Sequence, residues 1–367
     1  MICNYRNISL LFVIVISGCT SSGKSGSSSN VLPASALHPV GRTIFNEKDG
    51  LELISSASHM GFSFTGDECK IYATINDPSG HNYLQYELDG VYQKRIKIEG
   101  RSNEPITITT NGDGRHTIWL YKATEAQTGP IFIKQIVASN IKEVEKPTAP
   151  VIEFIGNSIT CGAAADPSEV PCGTGQYHDQ HNAYMAYGPR VARALHTNFL
   201  LSSVSGYGIY RNWNSDGPPL PSVYEDARLN PDDSTAWDFT EYNPAIVSIA
   251  LGTNDYSDGD GKKFRLPFDS ATFVNRYILF VQLVKSKYPG SQILLLSSPM
   301  IGGARREVLQ NCISAVKASI DQQYPTAKPV QVYFFRQMKP SGCSGHPSVD
   351  DHALLAEELV PVYRRLL

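Results

Sequence analysis

The hydrophobic period changes once along this 367-residue chain, at Glu145-Lys146-Pro147-Thr148-Ala149-Pro150, and that change narrows the possible folds most. Before it, from residue 41 to 143, short apolar runs are separated by turn signals. Gly61-Phe62-Ser63-Phe64-Thr65 alternates, as do residues 69–75 and 83–88, and Asp89-Gly90 then turns the chain into 91–98. Residues 105–109, 116–121 and 131–137 continue the series, and no stretch keeps an amphipathic helical period over three turns. Some seven strands in about 100 residues predict a β-sandwich, a jelly roll, over residues 41–146.

After Pro150 strands alternate with helices. Residues 151–155, 199–204, 245–251, 292–297 and 330–335 are continuous apolar runs, whereas 183–195, 272–287, 305–322 and 350–366 have helical spacing. Unbroken apolar strands between helices imply a parallel sheet buried on both faces. Residues 147–367 therefore read as a three-layer α/β/α domain on a parallel five-stranded sheet. Two domains also suit the length, which exceeds what one hydrophobic core ordinarily fills.

The first residues set the compartment. Positions 1–19 combine Arg6, a nine-residue, largely apolar stretch at 8–16, and Ile16-Ser17-Gly18-Cys19, which resembles a lipobox. The expectation is an exported, lipid-anchored protein of a bacterial cell envelope, with Cys19 as its modified N-terminus. Residues 20–40, Ser/Gly-rich at the start, then read as a tether. Export permits disulfides. Of Cys69, Cys161, Cys172, Cys312 and Cys343, the sequence allows Cys161 to close a short loop with Cys172, and Cys312 to reach Cys343. No C-x-x-C pair is present, and His178-x-x-His181 reads as a solvated loop, so no metal is expected. A net charge of −3 supplies no basic field for nucleic acid.

Residues with chemical potential follow the predicted strand ends, where an open parallel sheet binds its ligands. Gly156-Asn157-Ser158-Ile159-Thr160 places a serine at the start of a helix, and Ser205-Gly206-Tyr207-Gly208 follows the second strand. Gly252-Thr253-Asn254-Asp255 follows the third, and Gly345-His346-Pro347 precedes the closing helix. Each signal is weak alone, since an N-cap serine or a glycine turn explains it. In this order Ser, Gly, Asn and His resemble the SGNH (GDSL-like) hydrolase superfamily over residues 150–367.

The first domain sharpens the resemblance. His116-Thr117-Ile118-Trp119-Leu120-Tyr121-Lys122-Ala123-Thr124-Glu125, joined to Gly156-Asn157-Ser158-Ile159-Thr160-Cys161-Gly162, is similar to carbohydrate esterase family 2. So are Asn182-Ala183-Tyr184-Met185-Ala186-Tyr187-Gly188-Pro189-Arg190 and Gly206-Tyr207-Gly208-Ile209-Tyr210-Arg211-Asn212. The resemblance implies a cofactor-free serine esterase that removes acetyl groups from xylan, glucomannan or their oligosaccharides, and a monomer is expected. Ser158 would be the nucleophile and His346 its base, with His352 the rival base. Backbone N–H groups of Ser158 and Gly206, with the Asn254 side chain, would form the oxyanion hole. Tyr207, Tyr210 and Trp213 would contact sugar rings.

The chain departs from the family pattern twice. Asn157 stands where Asp is usual before the serine, and Cys343 and Ser344 occupy the positions that usually hold an Asp upstream of the histidine. A Ser–His dyad is therefore expected, with a backbone carbonyl near Gly345 fixing the imidazole tautomer. Asp350 and Asp351 are the alternative orienting groups. The competing functions are a glycan-binding protein with a vestigial esterase site, and an esterase for another O-acetylated glycan or lipid.

Overall fold

A computed structural model describes Met1 and residues 30–100, 104–231 and 235–367. The candidate leader and Cys19 lie outside the described residues. Nine antiparallel strands form the first domain: β1 (Val31–Pro33), β2 (Thr43–Asn46), β3 (Gly50–Leu53), β4 (His59–Thr74), β5 (His81–Leu88), β6 (Val91–Glu99), β7 (Ile106–Thr109), β8 (Arg115–Lys122) and β9 (Ile131–Val144). They hydrogen-bond in the order β2-β3-β9-β4-β8-β5-β6, with β1 added to β9 and β7 to β4. The sheet curls around a single core. Phe62 and Phe64 of β4, Ile118 and Leu120 of β8, and Ile133 and Ile136 of β9 are fully buried there. Burying each such side chain is worth about 1.5–3 kcal/mol.

Two differences from the sequence reading have physical causes. The runs at 61–65 and 69–75 belong to one 16-residue strand, β4, whose pairing with β9 shifts register between Ser63 and Thr65 and between Thr65 and Cys69. Bulges of this kind bend a strand without ending it, and in the sequence they read as a turn. The second difference is the tether. Val31–Pro33 pairs with β9, and Leu32, Ala34, Leu37 and Val40 are buried. The sheet therefore takes in residues from 31 on. The Ser/Gly-rich start gave the whole stretch the look of a tether, yet its apolar residues pack, and Pro33 is accommodated in a short terminal strand that pairs on one side.

The second domain contains β10 (Val151–Gly156), α1 (Ser158–Cys161), α2 (Tyr187–Leu195), β11 (Asn198–Ser203), α3 (Leu220–Val223), β12 (Ile246–Ala250), α4 (Thr253–Tyr256), α5 (Ser270–Lys287), β13 (Gln292–Leu296), α6 (Gly303–Gln323), β14 (Gln331–Tyr333) and α7 (Val349–Arg364). Its five strands are parallel in the order β11-β10-β12-β13-β14. One apolar core joins the sheet to α5 and α6, and another joins its opposite face to α2 and α7. The order reverses at β10, so the crevice lies beyond the ends of β10 and β12. Helix α2 starts at Tyr187, four residues later than its period suggests. That start puts Pro189 in the first turn, where its missing N–H has no helical partner to lose.

The domains share buried polar contacts. Arg42 enters the second domain and donates to Ser202 Oγ (3.0 Å), the Tyr224 carbonyl (2.9 Å) and the Asp226 carbonyl (2.8 Å). Glu87 of β5 accepts from the hydroxyls of Tyr121 and Tyr184, and Glu52 of β3 pairs with Arg228.

Candidate active site

Helix α1 begins immediately beyond β10, and its cap fixes the serine. Asn157 is the N-cap residue, its Oδ1 accepting the Ile159 N–H at 3.2 Å. This is the hydrogen bond an N-cap provides, and it needs no negative charge. Gly156 admits no side chain, because a Cβ there would lie 2.0 Å from Thr160 Oγ1. The result is a buried Ser158 at the strand end.

His346 arrives from the other end of the domain, after a one-turn 3-10 helix at Cys343–Gly345. Its Nε2 lies 3.0 Å from Ser158 Oγ, and its Nδ1 lies 3.1 Å from the Ser344 carbonyl. A carbonyl only accepts, so Nδ1 carries the hydrogen and Nε2 presents its lone pair to the serine. Burial, the largest influence, holds the His346 pKa below its ordinary 6.5. Neither alternative carboxylate serves it. Asp351 caps α7, taking Ser341 N–H and Oγ (both 2.7 Å) and Ser348 N–H (2.9 Å) on Oδ2, while Asp350 is exposed. His352 is fully buried in α7, its Nδ1 accepting from the Tyr187 N–H, and burial lowers its pKa to about 3.

Ser158 and His346 line a cleft of about 580 Å³ together with Gly206, Asn254, Trp213, Thr253, Ser257, Met300, Tyr177 and Gln127. Gly206 has φ +79°, a backbone region that glycine enters without strain. Asn254, in α4, commits one amide hydrogen to the Tyr207 carbonyl at 2.8 Å, which leaves its second for another acceptor. The loop between them is pinned by the buried Asp255, which accepts from the N–H groups of Ile209, Tyr210 and Arg211. Burial pushes the Asp255 pKa up to about 6, with those N–H bonds pulling the other way.

The aromatic expectations divide. Trp213 is 45% exposed and lines the cleft. Tyr207 and Tyr210 are absent from its lining and pack, half-buried, against the core beneath α5. Tyr210 Oη accepts the Asp269 N–H, and its ring meets Phe268 and Phe273. The direction of an aromatic side chain depends on the surrounding core, which a short motif does not encode.

Sequence reasoning missed Tyr177, Gln127 and the setting of Glu125. Tyr177 Oη lies 3.3 Å from His346 Nε2. The disulfide joins Cys172 to Cys343, tying the Tyr177 segment to the His346 segment across 171 residues. Neither pairing expected from sequence forms. Cys161 is buried under the strand ends beside Ser203 Oγ, and Cys312 faces the core from α6. His181 turns inward to Glu125. Of the two histidines, His178 lies with His81 and Asp179 in a group whose ligand atoms fall within 4.8 Å of one another. There Asp179 already accepts from His81 Nε2, the Tyr83 hydroxyl and the Gln176 N–H, so the group is complete as an interdomain hydrogen-bond cluster.

The family model for the carbohydrate esterase 2 N-terminal region matches residues 39–147, and that for the GDSL-like lipase/acylhydrolase family matches 154–345. The chain belongs to carbohydrate esterase family 2, among the GDSL-like hydrolases. This family 2 member is thus a carboxylic ester hydrolase. It is 25% identical over 360 residues to an acetylxylan esterase/glucomannan deacetylase of Cellvibrio japonicus, covering 96% of this chain and 95% of that one. It is 28% identical over 332 residues to the cellulase/esterase CelE of Acetivibrio thermocellus, covering 87% of this chain but 38% of that longer protein. Among solved structures, a family two carbohydrate esterase from Clostridium thermocellum in complex with cellohexaose superposes with a TM-score of 0.77 at 26% identity, covering 91% of this chain and 98% of that one.

Proposed function

We propose that this esterase removes O-acetyl groups from plant polysaccharides, xylan, glucomannan or their oligosaccharides, through an acetyl-Ser158 intermediate. The observation that carries the reading is the 3.0 Å contact between Ser158 Oγ and His346 Nε2 at the floor of an open cleft. As Ser158 Oγ attacks the acetyl carbonyl carbon, its proton passes to His346 Nε2. The N–H groups of Ser158 and Gly206 and the free amide hydrogen of Asn254 receive the developing oxyanion. Collapse breaks the ester C–O bond, and His346 returns the proton to the departing sugar hydroxyl. Water, deprotonated by the same imidazole, then releases acetate and frees Ser158. The Ser344 carbonyl holds the His346 tautomer throughout.

Trp213, exposed at the cleft, stacks on a sugar ring of the polymer. Similarity to acetylxylan esterases/glucomannan deacetylases supports this substrate class. Every group in the scheme comes from one chain, so a monomer suffices. Export with anchoring at Cys19 is the matching location. The Cys172–Cys343 disulfide suits an oxidising compartment, and among the described residues no helix is long and apolar enough to cross a membrane.

The test is acetate release from acetylated xylan, acetylated glucomannan and 4-nitrophenyl acetate by the native protein and by Ser158→Ala. Release by the native protein alone is expected. Retained glycan binding without release on any substrate would favour a binding protein instead.

A further inference from the structure

The β-domain sends a carboxylate behind the cleft. Glu125 follows β8, is 2% exposed, and has both oxygens engaged by the other domain. Its Oε2 accepts the Ser205 N–H at 2.6 Å, on the residue preceding Gly206. Its Oε1 lies 3.2 Å from His181 Nε2. The Ala164 N–H reaches His181 Nδ1 at 3.3 Å, so Nδ1 accepts and Nε2–H donates to Glu125. A neutral His181 satisfies both contacts and adds no counter-charge of its own to the carboxylate. The His181 ring packs edge-on against Tyr177 (4.8 Å between centroids), whose hydroxyl touches His346 Nε2.

We propose that Glu125 is a positioning residue of the esterase site: it anchors the Ser205–Gly206 peptide and supplies the negative charge that stabilises His346 when it takes the Ser158 proton. The proposal rests on the esterase reading above. The usual place for such a carboxylate, just before the histidine, holds Cys343 and Ser344. The groups around His346 are Ser158 and Tyr177 at Nε2, the Ser344 carbonyl at Nδ1, and the more distant His181 and Glu125. Among these, Glu125 favours the charged imidazole, and a neutral His181 adds no opposing charge. Around Glu125 stand His181, the Cys161 thiol at 3.6 Å, and Lys122, whose Nζ donates to the Glu125 carbonyl and so fixes the turn. Burial most strongly opposes ionisation of Glu125, yet its hydrogen bonds from His181 and Ser205 leave its pKa below the ordinary carboxylate value. A buried charge acts through a low dielectric, so it need not touch the imidazole to matter.

Steady-state kinetics of Glu125→Gln and His181→Gln across pH, with thermal melts alongside, tests this. Glu125→Gln is expected to lower kcat on the order of tenfold, the factor that one pKa unit represents, with KM little changed. It is also expected to move the acid limb of kcat/KM to lower pH, because the imidazolium loses its counter-charge. His181→Gln keeps the carboxylate and leaves that limb in place. Wild-type kcat and an unmoved limb in folded Glu125→Gln overturn the proposal. If Gln prevents folding, Glu125→Asp replaces it: charge is kept, reach to Ser205 is shortened, and kcat must fall with the limb unmoved. Wild-type kcat in Glu125→Asp then overturns the proposal. Unchanged acetate release by Ser158→Ala would overturn the esterase reading itself, so the two failures remain distinct.

Discussion

One wall of the cleft is built by strand ends and the other by long-range contacts. Ser158, Gly206 and Asn254 each sit within four residues of a parallel strand's carboxyl end, placed by an N-cap, a glycine turn and a short helix. The facing groups, Gln127 of the first domain and Tyr177 of the disulfide-tied segment, and the buried Glu125 behind them, reach the site only through the tertiary fold. Tyr177 meets His346 from 169 residues away, and Glu125 meets Ser205 from 80. The difference separates two kinds of work. On the proposed mechanism, strand ends of the sheet place the reacting atoms, while the first domain and the tied segment position and shield them.

If that division holds, substitutions on the strand-end wall and at His346 cost most. His346→Ala is expected to lower kcat on the order of 10⁴-fold or more on every substrate, as loss of a nucleophile's base does, with KM little changed. A residual rate within tenfold of wild type would mean that another group is the base. Asn254→Ala is expected to cost on the order of 10²–10³ in kcat, about 2.7–4 kcal/mol. Because Asn254 also holds the Tyr207 carbonyl, a thermal melt accompanies the kinetics, and an unchanged Tm with the expected loss of kcat assigns that loss to the missing oxyanion donor.

The pH profile probes the histidine between the walls. As the proposed base His346 works only when neutral, and burial holds its pKa below 6.5. The acid limb of kcat/KM is therefore expected below pH 6.5, activity falling about tenfold for each further pH unit. A limb above 6.5 would require a strong carboxylate partner at Nδ1 in place of the Ser344 carbonyl. The smallest effect is expected at the cleft rim. Trp213→Ala should raise KM for acetylated xylan by a few-fold, in line with the roughly 0.5–1.5 kcal/mol of an aromatic contact, and leave 4-nitrophenyl acetate turnover unchanged. Equal losses on both substrates would place Trp213 in the chemistry instead.

The same two walls explain what could be read in advance. Ser158, Gly206, Asn254 and His346 were legible because each is tied to a strand end or to the start of the closing helix by a few residues of turn chemistry. The alternation of strands and helices gave the parallel sheet for the same local reason. Tyr207 and Tyr210 misled because their motif fixes the backbone turn while the core around α5 fixes where the rings go. The cysteines misled because Cys172 reaches Cys343 only after the sheet has brought a polar loop and the His346 segment together. Glu125 ends a motif that is visible in sequence, yet nothing local says that its carboxylate crosses to Ser205 and His181. The bend in β4 was hidden for a related reason, since a bulge and a turn use similar residues.

The most direct measurement is to mix the native esterase with 4-nitrophenyl acetate, quench in acid during turnover, and determine peptide masses. One acetyl group on the peptide bearing Ser158 is expected, absent from Ser158→Ala, together with loss of acetate release by that variant. Acetate released at the native rate by Ser158→Ala, or an acetyl group found only on another residue, would contradict the account.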